Sequence, residues 1–307
     1  NSTLYGSEAM AGVINIITKD PGFEPRLSVD LMATSHAESF GNISLAKKNE
    51  KVAGFIGLNY AYINDFDDQN FDGFGDNINM DRISLFTKWD IKRKSKKTFN
   101  IAAKYYYEDR RNGVEDYLTN RAYRTLRGSE DVYGESIYTK RFELFGKYEF
   151  DFSEDFYVNY SFSQHDQDSY YGSDWYAAKQ QIGFLNFIKS KSIKNHELLF
   201  GATLRAQFYD DNTIATKLIS DNSDANNPEK QFIPGVFMQD EFDISEKLSV
   251  LAGYRIDHYN KHGLIGAPRL SAKLTPRKDL TLRANFGTGF RVVNLFAEDH
   301  AFITGQR

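Results

Sequence analysis

Four groups of residues have the types and spacing to do chemistry. Asp68-Gln69-Asn70-Phe71-Asp72-Gly73-Phe74-Gly75-Asp76 matches the first half of a calcium loop. In that pattern oxygens of Asp68, Asn70 and Asp72 converge on a cation, Gly73 permits the sharp turn, and the Phe74 carbonyl and Asp76 follow. The last position of the motif is Asn79 where a bidentate Glu is usual, and Asp65 and Asp67 add charge nearby. The segment therefore reads either as a weak calcium site that orders a loop or as a solvated acidic loop. The second group is histidine. His36, His165, His258, His262 and His300 fall at one set of strand ends, and His196 falls at the other. Converging imidazoles there would ligate a transition metal, a metal chelate or haem iron, although polar side chains are also simply tolerated at such ends. The third group is aromatic: Tyr105-Tyr106-Tyr107, Tyr170, Tyr171, Trp175, Tyr176 and Tyr209 offer flat faces to rings or sugars, or form a girdle. The fourth is Arg110, Arg111, Arg121, Arg124 and Arg127, which would attract an anionic chelate or solvate their own loop. No nucleophile–base signature, phosphate loop or zinc-hydrolase motif is present, and the expectation is a protein that is not an enzyme.

The elements that must position these groups are strands. Residues 196–209 set Leu198, Phe200, Ala202, Leu204, Ala206 and Phe208 on one face against Glu197, Leu199, Gly201, Thr203, Arg205, Gln207 and Tyr209 on the other. The same alternation holds at 248–257, 156–165 and 280–287, over about ten residues each, the length of a tilted membrane-spanning strand. Thirteen strands are expected, near 26–35, 41–48, 52–63, 81–92, 98–108, 136–150, 156–166, 175–189, 196–210, 232–244, 248–259, 267–276 and 280–288. In the tenth, Pro234 and Asp240 share the apolar face, so a shorter strand or a bulge is expected.

Connections alternate in kind. Residues 47–51, 91–97, 151–155, 189–195, 245–247 and 276–279 are short and charged, whereas 64–80, 109–135, 167–174, 211–231 and 260–266 are mostly longer. Short turns on one side and long loops on the other fit an all-β, antiparallel up-and-down transmembrane β-barrel with periplasmic turns and extracellular loops, in the outer membrane of a Gram-negative bacterium. The arginine-rich loop would then also lie within reach of lipopolysaccharide phosphates. Thirteen is odd, and an open edge is unacceptable in lipid, so the barrel is expected to be partial and the chain a fragment.

Composition agrees. Among 307 residues there are 19 Tyr and 25 Phe but only 2 Trp, an enrichment suited to strands and aromatic girdles. A net charge of −4 argues against nucleic acid as a partner. The absence of cysteine excludes disulfides and thiolate chemistry within the chain.

Residues 4–19 differ from everything that follows. Val13, Ile14, Ile16, Ile17 and Thr18 are β-branched, so a buried strand is expected over 12–19, stopped by Asp20-Pro21-Gly22. Tyr5-Gly6-Ser7, Ala9, Gly12 and Val13-Ile14-Asn15-Ile16-Ile17-Thr18-Lys19 resemble the end of the plug domain of TonB-dependent outer-membrane receptors. Ala267-Pro268-Arg269-Leu270 and Leu282-Arg283-Ala284-Asn285-Phe286-Gly287-Thr288-Gly289-Phe290-Arg291 resemble the mid-barrel motif of that family. Where many members continue with Ala-Pro, this chain has Val292-Val293-Asn294-Leu295-Phe296, which resembles a Bacteroidetes-type subset and does not favour haem.

The resemblance implies a plug end at 1–22, a barrel portion at 23–307, and about 22 strands in the whole barrel. It also implies TonB-energised import of a scarce nutrient. A ferric siderophore or other metal chelate comes first, with cobalamin, haem or a free metal behind it, and no cofactor is required beyond the possible calcium. A non-energised porin or an outer-membrane enzyme is the competing reading. His36, His165, His262, His300, Tyr170, Tyr171 and Trp175 are the candidate ligand contacts, and Asp68, Asn70, Asp72 and Asp76 the candidate metal ligands.

Overall fold

A computed structural model describes residues 3–4, 16–36, 38–218 and 225–290. It holds one 13-stranded antiparallel sheet in which every strand pairs with its neighbours in sequence. The strands are β1 (Leu27–Ala33), β2 (Glu38–Lys48), β3 (Val52–Ile63), β4 (Asn79–Ile91), β5 (Phe99–Gly113), β6 (Gly134–Glu149) and β7 (Phe156–Tyr171). They continue as β8 (Asp174–Ile193), β9 (His196–Asp211), β10 (Glu229–Ser245), β11 (Leu248–Tyr259), β12 (Gly263–Arg277) and β13 (Leu280–Gly287). All thirteen expected strands are present, as an up-and-down partial barrel with β1 and β13 at its two edges.

The register shows why this sequence makes a wall with two unlike faces. Ile43 lies opposite Leu58, Leu58 opposite Leu85, and Leu85 opposite Tyr105. Farther round, Tyr160 lies opposite Leu185, Leu185 opposite Leu204, and Leu204 opposite Pro234. These rows form a continuous apolar belt on one face, as lipid demands. The alternate register carries Asn59, Ser84, Arg141, His165, Asn186 and Thr203, the polar lining of a lumen. Lys140, Asp166, Lys179 and Asp210 are successive cross-strand neighbours on the lipid-side register. This ladder of alternating charge ends the apolar belt at the end that carries the long loops.

Several strands differ from expectation. β7 and β8 run past the expected 167–174 loop and meet at Gly172 and Ser173, where Gly172 takes φ 58°. Pairing continues above the belt because a two-residue hairpin with a left-handed glycine matches the twist of its strands. β12 begins at Gly263, inside the expected 260–266 loop, with Gly263 at φ 68°. β10 is longer than expected, not shorter, and its bulge lies only at its end, between Asp243 and Ser245. Asp240 stays on the lipid-side register and accepts a hydrogen bond from His196 Nδ1 at 2.8 Å. The His196 ring stacks on Phe242 with centroids 4.4 Å apart. A charge-assisted partner beside the short turns makes the carboxylate tolerable there.

The expected strand at 12–19 is corrected where it is described. Residues 16–20 form no strand, and Ile16 is 80% exposed because no described strand lies beside it to pair with. Ile14 and the rest of 5–15 lie outside the described residues. The stop at Asp20-Pro21-Gly22 is present, with Gly22 N donating to Asp20 Oδ1 at 2.7 Å and Phe23 N to the Asp20 carbonyl at 3.1 Å.

Candidate ligand-binding wall

Strand parity decides which side chains can meet a ligand. On the lumen register Tyr106 lies opposite Arg141, Arg141 opposite His165, His165 opposite Gln180, and Gln180 opposite Tyr209. One step toward the loop end runs a second row: Glu108, Thr139, Gln167, Ala178 and Asp211. Hydrogen bonds tie the two rows together. Tyr106 donates to Glu108, which also pairs with Arg110 at 2.9 Å. His165 Nε2 contacts Gln167 Oε1 at 3.3 Å, and Gln167 donates to Ser169 Oγ at 2.9 Å. Tyr176 and Tyr209 share a hydrogen bond of 3.1 Å, and Tyr209 donates to Asp211 Oδ2 at 2.5 Å. Asp211 Oδ1 accepts from Thr213 Oγ1 and Thr216 Oγ1, both at 2.8 Å, so the loop after β9 folds onto this row. Arg141 is held by Glu143 at 2.7 Å and stays 40% exposed. The result is a polar wall with accessible cations in Arg141 and Arg110, an imidazole and phenol groups, suited to holding a flat or anionic solute.

The expected ligand residues divide over this geometry. His165 is on the wall. His36 sits in the β1–β2 turn, its N–H donating to Thr34 Oγ1 at 3.3 Å, and His262 sits in the β11–β12 turn. Those turns are not neighbours of β7 in the sheet, so these histidines are not gathered into one ligand set. His300 lies outside the described residues. Tyr171 shares the lumen register with His165. Tyr170 and Trp175 lie directly opposite each other but on the lipid-side register, with Trp175 Nε1 donating to Asp168 at 3.4 Å. The expected 167–174 loop held Tyr170 and left Trp175 at the start of the next strand; β7 and β8 instead stay paired through both residues and turn them outward, the placement of the girdle alternative.

The arginine-rich segment also faces outward. It folds as two one-turn helices, α1 (Glu115–Leu118) and α2 (Tyr123–Leu126), against the lipid-side register of β5 and β6. Tyr117 reaches Ser136 Oγ at 2.6 Å, over Gly134, where an added Cβ would sit 2.2 Å from the Tyr117 ring. Arg111 is buried, 2.8 Å from Asp81 and 3.7 Å from Asp109, with the Tyr123 ring 4.1 Å from its guanidinium. Arg127 stacks 3.7 Å from the Tyr138 ring. Arg121 and Arg124 remain exposed. Beside this shelf Tyr133, 47% exposed and donating to Glu135 at 2.9 Å, has its phenol pushed up to about 12, first by partial desolvation and then by that carboxylate.

In the calcium-like loop Gly73 takes the expected left-handed turn at φ 85°. Asp68 accepts from the Asp72 and Gly73 amides at 3.2 and 2.9 Å, Asn70 from Asp72 at 3.0 Å, and Asp72 from Phe74 at 2.8 Å. Asp76 accepts from Gln69 at 2.8 Å, and Asn79 is buried, accepting from the Asp65 amide at 2.6 Å. Among the described residues no three His, Cys, Asp or Glu side chains form a set that could hold a metal ion. Each of Asp68, Asn70, Asp72 and Asp76 thus has at least one oxygen that accepts from an amide of the loop itself.

The family described as TonB dependent receptor-like, beta-barrel matches residues 42–301. The chain belongs to this family. No curated protein matches it significantly. Among solved structures, a point mutant of the ferric enterobactin receptor from Pseudomonas aeruginosa in complex with enterobactin superposes with a TM-score of 0.68 at 16% identity, over 95% of this chain and 48% of that one. The siderophore receptor PirA from Acinetobacter baumannii gives 0.60 at 12% identity, over 94% and 46%. The FpvAI–pyocin S2 complex gives 0.62 at 14%, over 91% and 44%. At such identities the likeness is one of fold. The chain spans about half the length of these receptor chains.

Proposed function

We propose that this chain is the plug end and first part of the barrel of an outer-membrane receptor that imports a scarce nutrient with energy delivered through TonB. The cargo proposed is a ferric siderophore or a similar metal chelate. The observation that carries this reading is the lumen wall at the loop end, where Arg141, His165 and Tyr209 share one row and are held by Glu143, Gln167 and Asp211. Such a wall matches an anionic, ring-bearing chelate better than a small neutral solute. The siderophore receptors among the solved neighbours point the same way. Arg121 and Arg124, exposed above the apolar belt on the outward side, are suited to lipopolysaccharide phosphates rather than to cargo.

The test is uptake of radiolabelled iron as ferric enterobactin by iron-starved cells carrying the full-length receptor, with cobalamin, haem and free ferric ion in parallel. Saturable uptake of the chelate that disappears on deletion of TonB is expected. Equal uptake without TonB would identify a passive pore. Uptake only of one of the other solutes would reassign the cargo.

A further inference from the structure

On the lumen face, far along the sheet from β1, four strands build a buried notch. Asn186, Thr203, Gly235 and Asp257 lie in one cross-strand row over β8, β9, β10 and β11. Arg255 sits one lumen position along β11 and folds back over this row. Its Nε donates to Asp257 Oδ2 at 2.7 Å, and its Nη2 to Asp257 Oδ1 and to Thr203 Oγ1, both at 2.6 Å. The fork passes over β10 because Gly235 has no side chain: a Cβ there would lie 2.1 Å from Asp257 Oδ1 and 2.8 Å from Arg255 Nη2. The two charged side chains are only 5% and 2% exposed.

This ion pair leaves one guanidinium nitrogen free to act outward. Arg255 Nη1 donates to the main-chain carbonyl of Thr3 at 3.3 Å, and Asn186 Nδ2 to that of Leu4 at 3.2 Å. Thr3 is itself buried, seated on Gly253, whose absent Cβ would lie 2.9 Å from Thr3 Oγ1. A separate contact, from Lys88 Nζ to the Lys19 carbonyl at 3.2 Å, ties the same leading segment to β4. A buried, neutral ion pair is a weak source of stability but a precise holder of geometry. Here it presents a fixed donor to carbonyls of a segment that belongs to none of the strands.

We propose that Arg255, oriented by Asp257 and Thr203, acts with Asn186 as a clamp on the barrel wall that seats the chain leading into the barrel by its Thr3 and Leu4 carbonyls. Arg255 is a positioning residue. The clamp grips main chain, so it can let go without any side chain of the leading segment being rearranged. If the leading segment is the exit of a plug, as the import reading above holds, the clamp is a point that must open when the plug is moved.

The experiment uses the full-length receptor in membranes. This chain has no cysteine of its own, so Thr3→Cys with Gly253→Cys introduces its one thiol pair, with each single variant as the control for thiols elsewhere in the receptor. The 2.9 Å separation matches the distance of about 3 Å between a disulfide sulfur and its partner's Cβ. Expected are efficient cross-linking on mild oxidation, and hydrogen exchange in the peptide containing Thr3 and Leu4 that is roughly tenfold faster in Thr203→Val but unchanged in Thr203→Ser. Absence of the cross-link, or equal exchange in both Thr203 variants, overturns the clamp. Transport is a second arm with ferric enterobactin as probe: the oxidised pair should bind it as before yet lose at least about tenfold in uptake, restored by reductant. Full uptake through the cross-linked receptor overturns the opening step. If the unmodified receptor takes up no chelate, the import reading fails, while cross-linking and exchange still judge the clamp.

Discussion

At the scale of single residues, period two sorts side chains that lie together in the sequence. Tyr105, Tyr106 and Tyr107 look like one aromatic patch, yet only Tyr106 is on the lumen register with Arg141. The same rule puts Tyr209 and Tyr176 on the lumen side, and Tyr170 and Trp175 on the lipid side. The residue types of a binding wall were thus legible in the sequence, and Arg205, Gln207 and Tyr209 stand on the polar face of residues 196–209 as expected. What was not legible was where pairing stops, because the continuation of β7 and β8 to Gly172 depends on the turn and on the partner strands. A pair of substitutions separates the two sides. His165→Ala with Arg141→Ala should weaken capture of a ferric chelate roughly tenfold or more in a binding titration, as expected for lost hydrogen bonds to a charged ligand. Tyr170→Ala with Trp175→Ala should leave the affinity unchanged, and a matching loss there would move the cargo to the outer rim.

Elements add what no single residue carries. The strands follow from binary patterning, but α1 and α2 have no sequence signal of their own: each is one turn long and neither has a side-chain N-cap. They exist because Tyr117, Leu118 and Tyr123 bury themselves together with Phe66 and Val132 against the wall. Gly134→Ala therefore acts on the loop and not on the strand. Its new methyl collides with the Tyr117 ring, an overpacking cost of about 1–3 kcal/mol that lifting α1 relieves. Limited proteolysis should cut residues 115–133 faster, with the melting temperature of the barrel unchanged.

The short turns hold together differently. Arg93 donates to Asp151 and to Tyr148 Oη at 3.1 Å, and Lys97 to the carbonyls of Phe150 and Ser153, both at 2.6 Å, joining the β4–β5 and β6–β7 turns. Hydrogen bonding from Ser95, then from Arg93, keeps the Asp151 carboxyl below its ordinary value of 3.8. A depressed carboxyl contributes above its unfolded value and stops contributing as pH falls through its folded value. The urea midpoint of the receptor should thus be insensitive to Asp151→Asn in the acid limit. The variant's deficit should grow as pH rises from the depressed folded value towards about 4, be complete just above it, and stay constant to neutrality. A deficit that instead grew only above pH of about 6 would assign the effect to another group.

The whole molecule is a curved wall whose two faces obey different solvents, and this is where the sequence was most informative. Alternation over about ten residues, thirteen times, with short and long connections in turn, is a global constraint that few folds satisfy. The constraint predicts opposite fates for neighbouring residues of one hairpin. Leu185 lies midway along the apolar belt, opposite Tyr160 and Leu204. Ser161, beside Tyr160 on β7, faces the lumen opposite Phe145 and Phe184. Leu185→Arg places a charge near the middle of the hydrocarbon, which costs about 2–4 kcal/mol on a barrel's lipid face. Ser161→Arg stays at an exposed position, where its guanidinium can lie over the Phe145 or Phe184 ring, and should cost within about 0.5 kcal/mol. Both carry the same new charge and similar bulk, so the difference isolates solvent from sterics. Urea unfolding of the full-length receptor in lipid vesicles should show a lowered midpoint for Leu185→Arg alone. If the two variants unfold alike, or if the order reverses, the assignment of lumen and lipid faces is wrong, and with it the placement of Arg141, His165 and the Arg255 clamp on the inside.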